Sequence, residues 1–311
     1  MRINRRHLIL GATGLLCSPM VARARDRMEP SEASDILPLW PDLPPGGGGP
    51  SGPVEVSDKG AIRNIAVPAL ELYRPERANG MAVLVAAGGG YKRIQMEGEA
   101  RPAARWLAAR GVTAFVLRYR LPGEGWTNGP LAPLQDAQRA LRLVAGSAGR
   151  LKLDVARIGV LGFSAGGHLM GLAATRSAFA SYAPVDGLDS GSAWPARAAL
   201  IYPVVTLLPP YDHTSTRVQL VGHHPSRAMS ADWSVETHVR ARCPRLFLVQ
   251  AEDDPISDIA NTALLERAAR EADVPVERHV LPSGGHGFGL GRPGAPSAEW
   301  PDWYAAWAGF A

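Results

Sequence analysis

Beyond residue 60 the chain alternates short apolar runs with longer segments of helical spacing. The runs at 62–67, 70–73, 82–86, 112–117, 157–161, 199–205, 245–249 and 277–281 are mostly apolar throughout, as strands covered on both faces should be. Between them, 98–110, 134–148, 165–176 and 258–272 carry apolar residues at helical intervals, and a last helix is expected around 300–307. There Trp300, Trp303 and Trp307 share one face, which packing against a sheet explains. This alternation of strands and helices predicts one α/β domain, a mostly parallel central sheet of about eight strands with helices on both faces.

Two segments precede that domain, which is taken as 61–311. Residues 25–60 are rich in proline and glycine, with Pro44-Pro45-Gly46-Gly47-Gly48-Gly49-Pro50 at the centre, and read as a leader wrapped over the domain surface. Residues 1–24 have a basic head, a short apolar run through Leu16 and small residues ending in Ala22-Arg23-Ala24, the layout of a secretory signal. The adjacent Arg5-Arg6 followed by His7-Leu8-Ile9 is similar to a twin-arginine signal, so export to the periplasm or medium is expected.

Composition narrows the function classes. The 311 residues are 46% hydrophobic, enough for a substantial core. The formal charge of +4 resides in the signal: with Arg2, Arg5, Arg6 and Arg23 set aside, the 33 basic residues fall to 29, equal to the acids. A neutral body argues against nucleic acid, whose phosphates demand clustered Lys and Arg. No stretch reaches roughly 18 uninterrupted apolar residues, so no stable membrane anchor is expected. Of the two cysteines, Cys17 falls in the signal, and Cys243, ahead of Pro244 and an apolar run, reads as a buried structural thiol. The sequence does not indicate an oligomeric state.

The chemistry centres on Gly162-Phe163-Ser164-Ala165-Gly166, between the strand at 157–161 and the helix starting at 165. On a strand-turn-helix, G-x-S-x-G is a nucleophile elbow: its glycines permit the sharp turn that lifts the serine hydroxyl clear of the sheet. A serine needs a histidine to take its proton, and that histidine needs a carboxylate to orient it. Both are expected after later strands. His286, among glycines in Gly284-Gly285-His286-Gly287, is the candidate base, whereas His168 lies within the elbow helix and suits packing or a surface role. Glu252, Asp253, Asp254 and Asp258 crowd one loop; Asp254 is the candidate acid, with Asp253 in reserve. Backbone N–H groups must also receive the oxyanion, and Gly89, Gly90 and Ala165 are the candidates, with Tyr91 if the register shifts by one. His213, His223, His224 and His238 show no metal-ligand spacing, so no metal is expected, and the mechanism requires no cofactor.

These residues make the chain similar to the α/β-hydrolase superfamily of esterases and lipases, and more narrowly to secreted bacterial carbohydrate acetyl esterases of the acetylxylan esterase-like type. The resemblance runs from about Leu39 and rests on Leu39-Trp40-Pro41, Gly88-Gly89-Gly90-Tyr91, Glu97-Gly98, Tyr119-Arg120-Leu121, Asp136, Gly162 to His168, Tyr202-Pro203-Val204 and Gly284 to Phe288. It implies the α/β-hydrolase fold and a Ser164, Asp254, His286 triad. It also implies hydrolysis of small acyl esters, acetyl first and feruloyl second, on xylan-type carbohydrates. Ala87 and Ile256-Ser257-Asp258 depart from the family pattern. Glu97, Arg120 and Asp136 are expected to be scaffold residues, the two acids complementing helix dipoles. The stretch 207–238 and the glycine-rich leader are expected to shape the alcohol side. A serine peptidase of the prolyl-oligopeptidase type would share the elbow and triad, and a non-catalytic carbohydrate-binding relative would share the fold.

Overall fold

A computed structural model describes residues 33–311; the expected signal at 1–24 lies outside them. Ten strands are described: β1 (Asp35–Pro38), β2 (Glu55–Val56), β3 (Ile62–Arg63), β4 (Ala69–Tyr73), β5 (Ala82–Ala86), β6 (Thr113–Arg118), β7 (Ile158–Phe163), β8 (Arg197–Ile201), β9 (Arg245–Ala251) and β10 (Val276–Leu281). Eight form one sheet in the order β1-β4-β6-β5-β7-β8-β9-β10, antiparallel at β1/β4 and β4/β6 and parallel elsewhere. The central strands β4, β5 and β7 are buried at every position. β10 mixes half-buried and exposed residues and buries only its last, Leu281, as befits an edge strand.

The helices are α1 (Arg101–Ala108), α2 (Ala132–Gly146), α3 (Ala148–Leu151), α4 (Ala165–Thr175), α5 (Ser215–Val221), α6 (Arg227–Asp232), α7 (Ala260–Glu271) and α8 (Trp300–Ala308). A π-helical turn, Met96–Ala100, leads into α1. In α8 Trp300 packs edge-on against Phe163, Trp303 stacks on His279, and Trp307 meets Phe247, so the tryptophan face lies on the sheet.

Two features differ from the sequence reading. The leader is not wholly outside the sheet, because its residues 35–38 form the edge strand β1. The run at 62–67 instead gives only β3, paired with β2 in a separate two-stranded ribbon. Alternation of side chains could not show this, because a four-residue strand with three exposed positions carries almost no hydrophobic period.

The chain leaves β5 through α1 to β6 on one side, then returns through α2 to β7 on the other. The strand order therefore reverses at β5, and the carboxyl ends of β5 and β7 flank the crevice where open α/β sheets bind ligands.

Behind that crevice Arg120 and Asp136 form a fully buried ion pair. Asp136 accepts hydrogen bonds from the Arg120 backbone N–H (2.8 Å), its Nε (3.0 Å) and the Trp40 indole (2.9 Å). Arg120 also donates to Pro45 O and Gln135 Oε1, so one guanidinium ties the leader to α2. This is not the expected dipole role: α2 begins at Ala132 and has no acid in its first turn. Asp136→Ala strands a buried guanidinium and should cost about 3–5 kcal/mol in urea unfolding.

α4 is buried over all but its last residue. On it His168 accepts from the Tyr91 hydroxyl at Nδ1 (3.0 Å) and donates through Nε2 to Trp233 O (2.7 Å). Burial lowers its pKa from 6.5 to about 4, so the folded protein holds it neutral. Unfolded chains take up that proton first, so this stability is intact above pH 6.5 and lost as pH falls toward 4, at about 1.4 kcal/mol per unit. Urea unfolding at pH 7 and pH 5 should show a smaller pH difference for His168→Gln than for the wild type, even though the variant starts less stable.

Candidate active site

β7 ends at Phe163 and α4 begins at Ala165, so Ser164 is the whole turn. Its backbone has φ +52° and ψ −119°, a region L-residues visit only when their surroundings hold them there. The residues two positions away on either side are glycine for steric reasons. A Cβ on Gly162 would come within 2.7 Å of Gly167 Cα, and one on Gly166 would run into the Ala86 and Ala87 carbonyls. The Ser164 N–H donates to Ile201 O (3.0 Å), which anchors the turn on the neighbouring strand.

The structure brings Ser164, His286 and Asp254 into one chain of hydrogen bonds. His286 Nε2 lies 2.8 Å from Ser164 Oγ, and its Nδ1 lies 2.8 Å from Asp254 Oδ2. A carboxylate only accepts, so Nδ1 carries the proton and Nε2 accepts from the serine hydroxyl. Asp254 follows β9 and is held by its other oxygen, which accepts from the Ile256 and Ser257 N–H groups (2.8 and 2.9 Å). Its carboxylate is fully enclosed, whereas His286 keeps 15% side-chain exposure, which leaves a solvent path to the ring. Asp253 points elsewhere: its Oδ1 accepts from the Gly284 and Gly285 N–H groups (2.9 and 2.8 Å), bracing the loop that carries His286.

After β5 the chain turns through Gly89, Gly90 and Tyr91, all at positive φ (+123°, +62° and +58°). Among the described residues the N–H groups of Gly89 and Gly90 donate to no protein acceptor, and both residues line the cavity beside Ser164. Ala165 is the first residue of α4, where backbone N–H groups lack helical partners. Gly88 faces the opposite way, donating to Glu99 Oε2 (2.5 Å), and the Tyr91 side chain is tied to His168.

The cavity at Ser164 and His286 measures about 440 Å³. Val204 and Ile256 are its aliphatic lining, against Lys92, Arg93, Gln95 and the run Thr214, Ser215, Thr216. That run shows the 207–238 segment reaching the site as expected, although it holds the short helices α5 and α6 rather than loop alone. Among the described residues the leader does not line this cavity. Its Pro50 and Glu55 instead line a neighbouring cleft of about 440 Å³ that shares Lys92. Cys243 is half-buried and lines a different cavity, beside Phe179 and Trp194. Burial pushes its thiol pKa up, away from nucleophilic character.

Sequence reasoning did not single out Glu99 and noted Tyr202 only within the family resemblance, yet both reach the site. Both are buried, and the Tyr202 ring sits edge-on to the His286 imidazole at 4.9 Å. A charged residue in a segment expected to pack as a helix was the available sign for Glu99.

Residues 70–268 match the family model described as BD-FAE. An acetylxylan esterase of Xylanibacter ruminicola is 28% identical over 223 residues, which is 70% of this chain and 43% of that protein. An endo-1,4-beta-xylanase B of Butyrivibrio fibrisolvens is 30% identical over 235 residues, 73% of this chain and 34% of that protein. The chain thus spans less than half the length of these curated relatives. Among solved structures, the acetyl ester-xyloside bifunctional hydrolase from Caldicellulosiruptor lactoaceticus superposes with TM-score 0.73 at 32% identity, covering 89% of this chain and 96% of that one. A Thermogutta terrifontis esterase, Est2, matches with TM-score 0.65 at 23% identity over 86% of this chain and 97% of its own, a likeness of fold. With well over half of the chain inside the family match and the reversed sheet order carrying an elbow at its switch point, this chain belongs to the BD-FAE family and has the α/β-hydrolase fold.

Proposed function

We propose that the chain is a serine carboxylesterase that removes short acyl groups, acetyl above all, from xylan-type carbohydrates through an acyl-enzyme. The observation that carries this reading is the unbroken line from Ser164 Oγ through His286 to Asp254, with both hydrogen bonds at 2.8 Å, opening on a cavity that glycine N–H groups also line. The relatives named for acetylxylan esterase and acetyl ester hydrolase activities point the same way.

In this mechanism Ser164 Oγ attacks the ester carbonyl as His286 Nε2 takes its proton. The charge growing on the carbonyl oxygen is received by the N–H groups of Gly89, Gly90 and Ala165. Asp254 stabilises the imidazolium through Nδ1. Collapse of the tetrahedral intermediate breaks the ester C–O bond, His286 returns its proton to the departing alcohol, and Ser164 is left acylated. Water then attacks the acyl-enzyme with His286 again as base, releasing the carboxylic acid and restoring the serine.

The lining favours acetyl over feruloyl. A cinnamoyl ring would call for an apolar or aromatic slot, whereas this cavity offers two aliphatic side chains among glycines, hydroxyls and cations. Those polar groups suit a sugar hydroxyl framework on the alcohol side.

Ser164→Ala, at verified folding, should reduce acetate release from acetylated xylan and from 4-nitrophenyl acetate below about one-thousandth of wild type. A loss on the small ester with no wild-type turnover of the polysaccharide would retain the hydrolase and discard the carbohydrate substrate. Asp254→Asn should lower kcat by about 10³ to 10⁴, because the imidazole loses the partner that sets its tautomer. Asp253→Asn retains an acceptor for the Gly284 and Gly285 N–H groups and should stay within about tenfold of wild type. The reverse ranking would move the acid to Asp253.

A further inference from the structure

Four acids are buried among the described residues: Glu71, Glu99, Asp136 and Asp254. Glu71 is matched by Arg101 and Arg118, Asp136 by Arg120, and Asp254 by His286. Glu99 alone forms no ion pair among the described residues, although it is only 5% exposed and lines the cavity beside Ser164. Leaving a carboxylate buried without a cation is costly, and a purely scaffolding position would be served as well by a neutral side chain.

What Glu99 does hold is backbone. Its Oε2 accepts from the Gly88 N–H at 2.5 Å, and the Tyr119 hydroxyl donates to the Ala87 carbonyl at 2.8 Å. These are the two ends of a single peptide plane, the one that enters the Gly89 and Gly90 turn. With that plane pinned, the following N–H groups are turned to the cavity. Gly88 also abuts the nucleophile, since a Cβ there would lie 2.6 Å from Ser164 Cβ.

The other carboxylate oxygen reaches the base. Glu99 Oε1 accepts from the Tyr202 hydroxyl (3.0 Å), which accepts in turn from the Gly289 N–H (3.1 Å), three residues beyond His286. The Tyr202 ring packs edge-on against His286 and Phe288 at 4.9 and 4.4 Å. Glu99 sits in the π-helical turn Met96–Ala100, a local departure from α-helix of the kind that collects at functional sites.

We propose that Glu99 is a positioning residue for the esterase reaction, its carboxylate clamping the oxyanion turn with one oxygen and, through Tyr202, the His286 loop with the other. This rests on the serine esterase reading above. It sets the spacing between the N–H groups that receive the oxyanion and the imidazole that moves the proton, and so acts on the transition state more than on ground-state binding.

The test measures kcat and KM for 4-nitrophenyl acetate, together with Tm and circular dichroism, for Glu99→Ala, Glu99→Gln and Tyr202→Phe beside Ser164→Ala. Glu99→Ala releases both arms and should lower kcat about 10²-fold with KM within about threefold. Glu99→Gln retains an acceptor for Gly88 and should recover part of that loss. Tyr202→Phe cuts only the His286 arm and should lower kcat by about tenfold, again without a matching change in KM. Should Glu99→Ala fail to fold, the other two variants decide. The proposal is overturned if folded Glu99→Gln and Tyr202→Phe both keep kcat within about twofold of wild type, or if their losses lie wholly in KM. Persistent turnover by Ser164→Ala would instead overturn the esterase reading itself.

Discussion

The close approach of the β5 loop to the turn at Ser164 is the constraint on which the site depends. Because the strand order reverses at β5, the carboxyl ends of β5 and β7 lie side by side, and Ala86 pairs with Gly162 at the last rung of their ladder. The elbow and the glycine turn after β5 must then pack with no side chains between them. Gly88, Gly162 and Gly166 all lack room for a Cβ. Ser164 holds a backbone conformation that costs on the order of 1–3 kcal/mol in isolation, and this contact, with the anchor on β8, confines it.

Around that contact the loops are made rigid by acids that accept backbone N–H groups. Asp254 takes those of Ile256 and Ser257, Asp253 those of Gly284 and Gly285, and Glu99 that of Gly88. Charge-assisted bonds to main chain are stronger than neutral ones and fix φ and ψ directly. A site geometry spread over four loops can in this way be held with few long side chains. His168 belongs to the same scheme from below, because its bond to Tyr91 fastens the turn after β5 to the elbow helix.

Much of this was legible in one dimension. Ser164 stood out because its motif lies between a largely apolar strand and a helix, the context of an elbow. His286 stood out because glycines surround it after a late strand. Asp254 was distinguishable from Asp253 by no local property: the two are adjacent, both acidic and both on the loop after β9. Their different tasks follow from the direction each side chain takes in space, one to an imidazole and the other to two backbone amides.

The sequence by itself determined the alternation of buried strands and helices and singled out Ser164 and His286, because hydrophobic period and glycine placement are local and survive in any context. Only the tertiary structure decided which acid meets His286, that residues 35–38 close the sheet edge, that Asp136 neutralises Arg120, and that Glu99 reaches both halves of the site. Each of these is a contact between residues distant in sequence, and its energy comes from desolvated partners meeting at hydrogen-bond distance, which no periodicity along the chain encodes.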